Sequence, residues 1–255
     1  MIDMNRRHAL LCSAALASLV IPARSGVPQP YRVSLVTGGM LDGLWQAGIV
    51  IDLEPDWKTY WRVPGDAGIP PQFDWSGSVN LQTVDVRFPI PARFQDASGD
   101  AIGYHDKVVF PLSIKPANPN QGTRLKLNMF FAVCKGVCIP AKAQLDLALD
   151  VSRSNPLLAT WQQRVPVAGG IVTNARVEMQ DGKLMLVLKL SQPVEDIFVE
   201  TATGAYFGQP RFDISPGEAW LPLANTGGMP NLQNMVLMLT LSTGNTGIEQ
   251  TVTVN

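Results

Sequence analysis

The sequence predicts an all-β protein that is long enough for two domains. The chain has 255 residues, of which 46% are hydrophobic and 16% charged, and these proportions are typical of a globular protein. Twenty prolines and 22 glycines are interspersed with many short runs of valine, leucine and isoleucine, a pattern that favours strands joined by turns. The formal net charge of −1 gives no reason to expect nucleic acid or an anionic membrane surface as a partner.

Residues 1–25 are predicted to be an export signal outside the fold. Arg6-Arg7 precedes an apolar run from Ala9 to Ile21, and a small-residue cleavage site follows near Ala23-Arg24-Ser25. The paired arginines also fit a twin-arginine signal, so the export route stays open. The apolar run is shorter than the ~20 residues that span a bilayer. We therefore expect a soluble, exported mature protein that has lost Cys12.

Strand patterns fill residues 26–150, which we predict to form the first domain. An opening pair of strands is expected at Tyr31 to Val36 and Leu44 to Leu53, and a single strand from Tyr104 to Lys115. Pro64-Gly65-Asp66 is expected to form a loop, because proline cannot occupy a central ladder.

Residues 151–170 are predicted to form a short helix and a linker, and residues 171–255 a second β domain. The helix is expected over Asn155 to Arg164, where proline suits the first turn. Asp181-Gly182 between two apolar runs predicts a hairpin. The second domain has no cysteine, no histidine and no catalytic constellation, so a structural or docking module is the simplest interpretation.

Two nearby cysteines, Cys134 and Cys138, are the most distinctive feature of the first domain. On one extended strand their Cα atoms would lie roughly 13 Å apart, at about 3.3 Å per residue. A disulfide needs roughly 4.4–6.8 Å. The chain must therefore fold back if they are bridged, and Lys135-Gly136 is the expected tip because glycine accepts positive φ. Alternating apolar residues on both sides predict two strands joined by this turn.

Signal cleavage leaves Cys134 and Cys138 as the only cysteines of the mature chain, and an oxidising compartment favours a disulfide between them. A bridge across so few residues stabilises a fold less than a long-range bridge does. It is also expected to be readily reduced. These points favour a working disulfide, and a structural disulfide remains the alternative.

The longest motif of the chain resembles a known family. The run from Trp57 to Trp75 resembles the signature W-x-x-Y-W-[RK]-x-P-G-D-[SA]-G-x-P-P-x-x-x-W of the N-terminal periplasmic domain of the DsbD/ScsB group of transmembrane thiol–disulfide reductases. Gly103-Tyr104, Phe110-Pro111-Leu112 and Val133 to Pro140 are similar in the same register. The resemblance covers roughly residues 30–150 well, and the helix and second domain more loosely.

The resemblance implies two tandem immunoglobulin-like β-sandwiches in the periplasm, with Cys134 and Cys138 as a redox-active pair that needs no cofactor. It implies a protein-disulfide reductase type of electron transfer, in which a membrane-embedded thiol reductase supplies electrons and thioredoxin-like client proteins receive them. It also implies a cap loop near the pair that shields it from oxidation. The matching stretch is Ala101 to Tyr104, with Tyr104 as the candidate cap residue.

Two features depart from the family pattern. The classical member has a longer spacing between its cysteines, and the three residues here are closer to the ScsB type. The sequence also contains no segment that resembles the family's membrane channel or its thioredoxin-like domain, so we expect separate proteins to supply the electrons.

Other interpretations of the cysteine pair stay open. His105 could approach the pair as a base or cation, and Lys135 or Lys142 could lower a thiol pKa, although all three could equally be surface residues. Thiolates also suit Cu(I), with Met129 or Met179 as soft ligands, although the strand-rich pattern lacks the βαβ units of copper-binding thioredoxin folds. A third alternative is a β-sandwich adaptor with an inert disulfide. The sequence does not decide which cysteine attacks.

Overall fold

The computed structural model describes residues 29–65, 68–96, 99–150, 154–224 and 232–255, where it shows eighteen strands and one short helix. The prediction of an all-β fold built from two tandem β-sandwiches is confirmed. The predicted export signal lies outside the described residues. Within them, no helix is both long and apolar enough to cross a membrane.

The first sandwich consists of two antiparallel sheets. One has the strand order β1-β2-β8-β5, and the other, called the site sheet here, has the order β10-β9-β3-β7-β6 with β4 paired to β9. The strands are β1 (Tyr31–Leu41), β2 (Leu44–Leu53), β3 (Lys58–Gly65), β4 (Gln72–Asp74), β5 (Leu81–Val86), β6 (Ala92–Asp96), β7 (Gly99–His105), β8 (Lys107–Pro116), β9 (Arg124–Lys135) and β10 (Val137–Ala148).

Two local predictions for this sandwich were wrong. The single strand expected from Tyr104 to Lys115 is two strands, because the chain turns at Asp106, whose φ is 53°. Aspartate tolerates this left-handed conformation better than most residues do. Of the loop expected at Pro64-Gly65-Asp66, the first two residues form the end of β3, and Asp66 lies outside the described residues. Proline is accommodated there because the ladder between β3 and β7 is interrupted between Tyr60 and Gly65.

A short helix, α1 (Pro156–Gln162), follows the first sandwich. Its start agrees with the sequence: the Asn155 side chain accepts hydrogen bonds from the backbone N–H groups of Leu157 and Leu158, and proline occupies the first turn. Val167–Ala168 (β11), within the segment expected to be a linker, pairs in parallel with a strand of the second sandwich.

The second sandwich has sheets of order β11-β18-β17-β14 and β12-β13-β16-β15. Its hairpin at Asp181-Gly182 is present as predicted, with φ of 50° and 76° at the two turn residues. The remaining strands are β12 (Val172–Gln180), β13 (Lys183–Leu190), β14 (Asp196–Glu200), β15 (Tyr206–Phe207), β16 (Glu218–Ala224), β17 (Val236–Ser242) and β18 (Gly247–Thr253).

Each sandwich has its own hydrophobic core, but the two are in contact. Phe198 and Tyr206 of the second sandwich are buried within the core cluster of the first. Phe198 packs on Trp61, with ring centroids 5.6 Å apart. The second sandwich is therefore packed directly against the site sheet.

Candidate functional site

Cys134 and Cys138 face each other across the hairpin of β9 and β10 and form a disulfide, with their Cα atoms 4.2 Å apart. Gly136 lies at the tip with a φ of 73°, where a residue with a Cβ would be strained. The predicted hairpin, its tip and the cysteine pairing at this position are all present in the structure.

The two cysteines lie on the same face of the site sheet but differ in exposure, because Cys134 is on the inner strand β9 and Cys138 is on the edge strand β10. In β9 the odd-numbered residues from Leu125 to Val133 pack in the sandwich core, so Cys134 projects from the opposite, outer face of the site sheet. Cys134 is nevertheless only 2% exposed. Cys138 is exposed, next to Val137, which is 73% exposed. A protein partner can therefore reach Cys138, while Cys134 is covered.

Tyr60 and Phe94 supply much of the cover over Cys134. The Tyr60 hydroxyl lies 2.7 Å from the Cys134 sulfur and 3.1 Å from the Cys138 sulfur. Disulfide sulfurs carry no hydrogen, so the hydroxyl is the donor. Tyr60, Ala101, Ala132 and Cys134 form a small buried cluster on the outer face, and Phe94 packs against it.

Tyr104, the expected cap residue, does not contact the sulfurs. The stretch from Ala101 to Tyr104 belongs to β7 and not to a loop, and alternation turns Tyr104 into the sandwich core. Its hydroxyl donates to the Pro89 carbonyl oxygen at 2.8 Å. Burial raises the pKa of Tyr104 well above its ordinary value, against a smaller opposing effect of the Arg62 charge. The tyrosine that the fold brings to the disulfide is Tyr60.

His105 lies two strands away from Cys134. Both residues pair with Lys58 of β3, which lies between them in the sheet. The His105 ring packs edge-on against Phe94, with centroids 4.1 Å apart. The structure therefore places His105 at the border of the cluster and not against the sulfurs.

Of the lysines near the pair, Lys58 lies directly opposite Cys134 on the neighbouring strand β3. It is 6% exposed, and its ammonium group lies 5.6 Å from the centre of the Phe94 ring. Lys135 instead bonds to Asp56 at 3.0 Å and to the Pro55 carbonyl oxygen at 3.3 Å. Lys142, opposite Phe130 in the hairpin, is exposed.

The soft ligands considered for Cu(I) are not brought to the cysteines. Met129 is buried in the sandwich core, on the other face of the sheet from Cys134, and Met179 is exposed in the second sandwich. Across the described ranges, no group of three or more histidine, cysteine, aspartate or glutamate residues could hold a metal ion.

Two family models match parts of the chain. Residues 41–150 match the family described as thiol:disulfide interchange protein DsbD, N-terminal, and residues 164–255 match a domain of unknown function, DUF8393. No curated protein sequence matches the chain. The recognition of a DsbD-type N-terminal domain in this part of the chain is therefore confirmed.

A solved structure extends the likeness to the whole fold. The crystal structure of the N-terminal periplasmic domain of ScsB from Proteus mirabilis matches with a TM-score of 0.70 at 21% sequence identity. The match covers 93% of this chain and 96% of that one. At this identity the match establishes the shared fold, including the presence of both sandwiches.

The sequence alone did not identify Tyr60 and Phe94 as neighbours of the disulfide. Tyr60 belongs to the Trp57-to-Trp75 motif, which was a signal that could have pointed to it. That motif also contains core residues such as the fully buried Trp61, so membership of the motif does not distinguish a site residue from a core residue. Phe94 had no sequence signal. It reaches the cluster only because β6 pairs with β7 in the register that sets Phe94 opposite Ala101.

Replacing Tyr60 with phenylalanine should slow reduction of the disulfide by glutathione about tenfold. The change keeps the ring that covers Cys134 but removes the hydroxyl that can stabilise a developing thiolate, and a hydrogen bond to a charged group contributes about 1.5 kcal/mol or more. Stopped-flow measurement of thiol release gives the rate. Tyr31→Phe, in the other sheet, is the matched control. Equal rates in both variants would contradict a role for the hydroxyl.

Proposed function

We propose that this protein carries out thiol–disulfide exchange in the periplasm through the Cys134–Cys138 pair. The observation that supports the proposal most is the asymmetry of the pair: Cys134 is buried beside Tyr60, and Cys138 is exposed near a hairpin tip. A purely structural bridge needs neither an accessible sulfur nor a hydroxyl donor placed between the two sulfurs. The match of residues 41–150 to the DsbD N-terminal family supports the same chemistry.

The asymmetry assigns a role to each cysteine. A donor thiolate attacks the exposed Cys138 sulfur, the bond between the two sulfurs breaks, and its electron pair leaves on the Cys134 sulfur, beside the Tyr60 hydroxyl. The second donor thiol then releases Cys138, so that the donor dithiol becomes a disulfide and the protein a dithiol. In the reverse sense, the Cys138 thiolate attacks a client disulfide and Cys134 resolves the mixed disulfide.

The partners follow from the same likeness. We propose a membrane-embedded thiol reductase as donor and thioredoxin-like proteins as clients. The match to a periplasmic domain of ScsB supports the periplasmic location. Val137 and Ile139, the sequence neighbours of Cys138, are 73% and 38% exposed and give the end of the hairpin an apolar surface for such a partner.

Exchange with a reduced thioredoxin tests the proposal. The oxidised protein is mixed with reduced thioredoxin as a probe dithiol, the reaction is quenched with acid, and free thiols are alkylated for mass spectrometry. We expect the Cys134 and Cys138 thiols to appear as the thioredoxin disulfide forms, far faster than with glutathione at equal thiol concentration. A disulfide that stays oxidised would overturn the proposal and leave the structural adaptor as the function.

A further inference from the structure

We propose that the second sandwich is a positioning element for the disulfide site and acts through Arg62 and Arg93. The inference rests on the proposed function, because it explains how the cover over Cys134 is held in place. Residues 164–255, which include this sandwich, match the sequence of a domain of unknown function.

Arg62 fixes β3 to the second sandwich. Its guanidinium group lies 2.6 Å from both Glu200 and Glu249 and 3.3 Å from the Thr240 hydroxyl. These three partners lie on the neighbouring strands β14, β18 and β17, so one arginine contacts three strands of one sheet. Burial lowers the pKa of Arg62, but the hydrogen bonds and charges of the two glutamates outweigh that effect and hold it above its ordinary value.

The Arg62 contacts are close in sequence to the side chain that binds the sulfurs. Tyr60 on β3 donates to both sulfurs, the adjacent Trp61 packs on Phe198 of the second sandwich, and Arg62 follows. The Arg62 guanidinium also stacks over the Trp61 ring at 4.5 Å. Three consecutive residues thus connect the disulfide to the second sandwich.

Arg93 makes a second connection, from β6. Its side chain is only 6% exposed and binds Asp196 at 3.3 Å, the Tyr206 hydroxyl at 2.8 Å and the Ile197 carbonyl oxygen at 3.1 Å. The planar guanidinium fork satisfies these partners in fixed directions. Arg93 therefore restrains the direction in which β6 lies as well as its distance from the second sandwich.

The residue after Arg93 is Phe94, which projects to the opposite face of β6 and packs against the cluster that contains Cys134. Arg93 on one face of β6 binds the second sandwich, and this contact therefore sets the position of Phe94 on the other face. If the contacts with the second sandwich are weakened, β3 and β6 can shift, and Tyr60 and Phe94 no longer cover the Cys134 sulfur closely.

The rate of reduction by glutathione tests this inference. One glutathione thiolate attacks the Cys138 sulfur, Cys134 leaves and takes a proton, and a second glutathione releases Cys138 as glutathione disulfide forms. Arg93→Lys keeps the charge but loses the fork, and Arg62→Gln loses the charge. We expect Arg62→Gln to lower the rate about three- to tenfold, because a displaced Tyr60 donates less well to the leaving Cys134 sulfur. We expect Arg93→Lys to raise the rate by a similar factor, because Phe94 then buries that sulfur less and burial disfavours the thiolate. Changes of this size are common between coupled residues.

A matched control and a double-mutant cycle separate positioning from general destabilisation. Arg176 forms a comparable ion pair with Glu218 at 2.8 Å, but within the second sandwich, so Arg176→Gln should leave the rate unchanged. In a Phe94→Ala background, Arg93→Lys should add no further increase, because the side chain that it positions is gone.

Unchanged rates in both arginine variants would overturn the inference. So would a comparable change of rate in Arg176→Gln, or the same Arg93→Lys effect with and without Phe94. Near-UV circular dichroism checks folding. If Arg93→Lys does not fold, Arg62→Gln decides the matter, since the Arg62 side chain is 26% exposed and its loss is better tolerated. Glutathione needs no protein partner, so a failure to exchange with thioredoxin overturns the proposed function separately.

Discussion

Replacing Cys138 with serine is expected to abolish exchange with reduced thioredoxin, by at least about a hundredfold, and to prevent any mixed disulfide. The remaining Cys134 sulfur is only 2% exposed and lies under Tyr60, so a partner cannot reach it. Cys134→Ser should also stop turnover. It should nevertheless form a stable mixed disulfide with the partner, because the exposed Cys138 remains and nothing resolves the adduct. Non-reducing electrophoresis distinguishes the two variants.

The two serine variants control for each other, since both remove the same disulfide. The bridge closes a loop of only a few residues, so each variant should lose on the order of 2 kcal/mol of unfolding free energy and stay folded. Equal trapping by both variants would contradict the assignment of Cys138 as the attacked sulfur. Undiminished exchange in either variant would contradict the proposed chemistry altogether.

Substituting alanine for Gly103 is expected to destabilise the first sandwich by at least about 3 kcal/mol, the upper end of the usual cost of overpacking. Gly103 lies directly opposite Tyr60 in the pairing of β7 with β3. An added Cβ would overlap the Thr59 carbonyl oxygen and lie 2.9 Å from the Tyr60 Cα. These atoms belong to the backbone, so relief requires the two strands to separate at the residue that contacts the sulfurs.

Urea unfolding of the full chain measures this effect. The matched control is Gly122→Ala, because a Cβ at Gly122 meets no atom within 4 Å and its φ is not in the left-handed region. Gly122→Ala should unfold at the wild-type urea concentration, and Gly103→Ala well below it. A Gly103→Ala variant as stable as the wild type would show that β3 and β7 can separate freely at this point.

The parts of the site that depend on local chemistry were predictable from the sequence. Gly136 between two alternating apolar runs identified the hairpin, and once the chain folds back there, Cys134 and Cys138 must face each other. Asp181-Gly182 identified the hairpin of the second sandwich for the same reason. Such turns are fixed by the few residues that accept positive φ.

The parts that depend on strand register and on contacts between the sandwiches were not predictable. A choice between Tyr104 and Tyr60 as the cap residue requires knowing which face of its strand each tyrosine occupies. The sequence did not reveal the turn at Asp106 or the irregular pairing after Tyr60, which decide this. A shift of one residue moves a side chain to the other face. Arg62 and Arg93 resemble ordinary surface charges until their partners in the second sandwich are known.

The reduction potential of the Cys134–Cys138 pair distinguishes a working disulfide from a structural one. The protein is equilibrated in glutathione redox buffers at neutral pH, and the fraction of free thiol is measured by alkylation and mass spectrometry. A pair that exchanges electrons with thioredoxin-like proteins should have a potential between about −180 and −270 mV. A potential below about −300 mV, typical of structural bridges, would contradict a working disulfide.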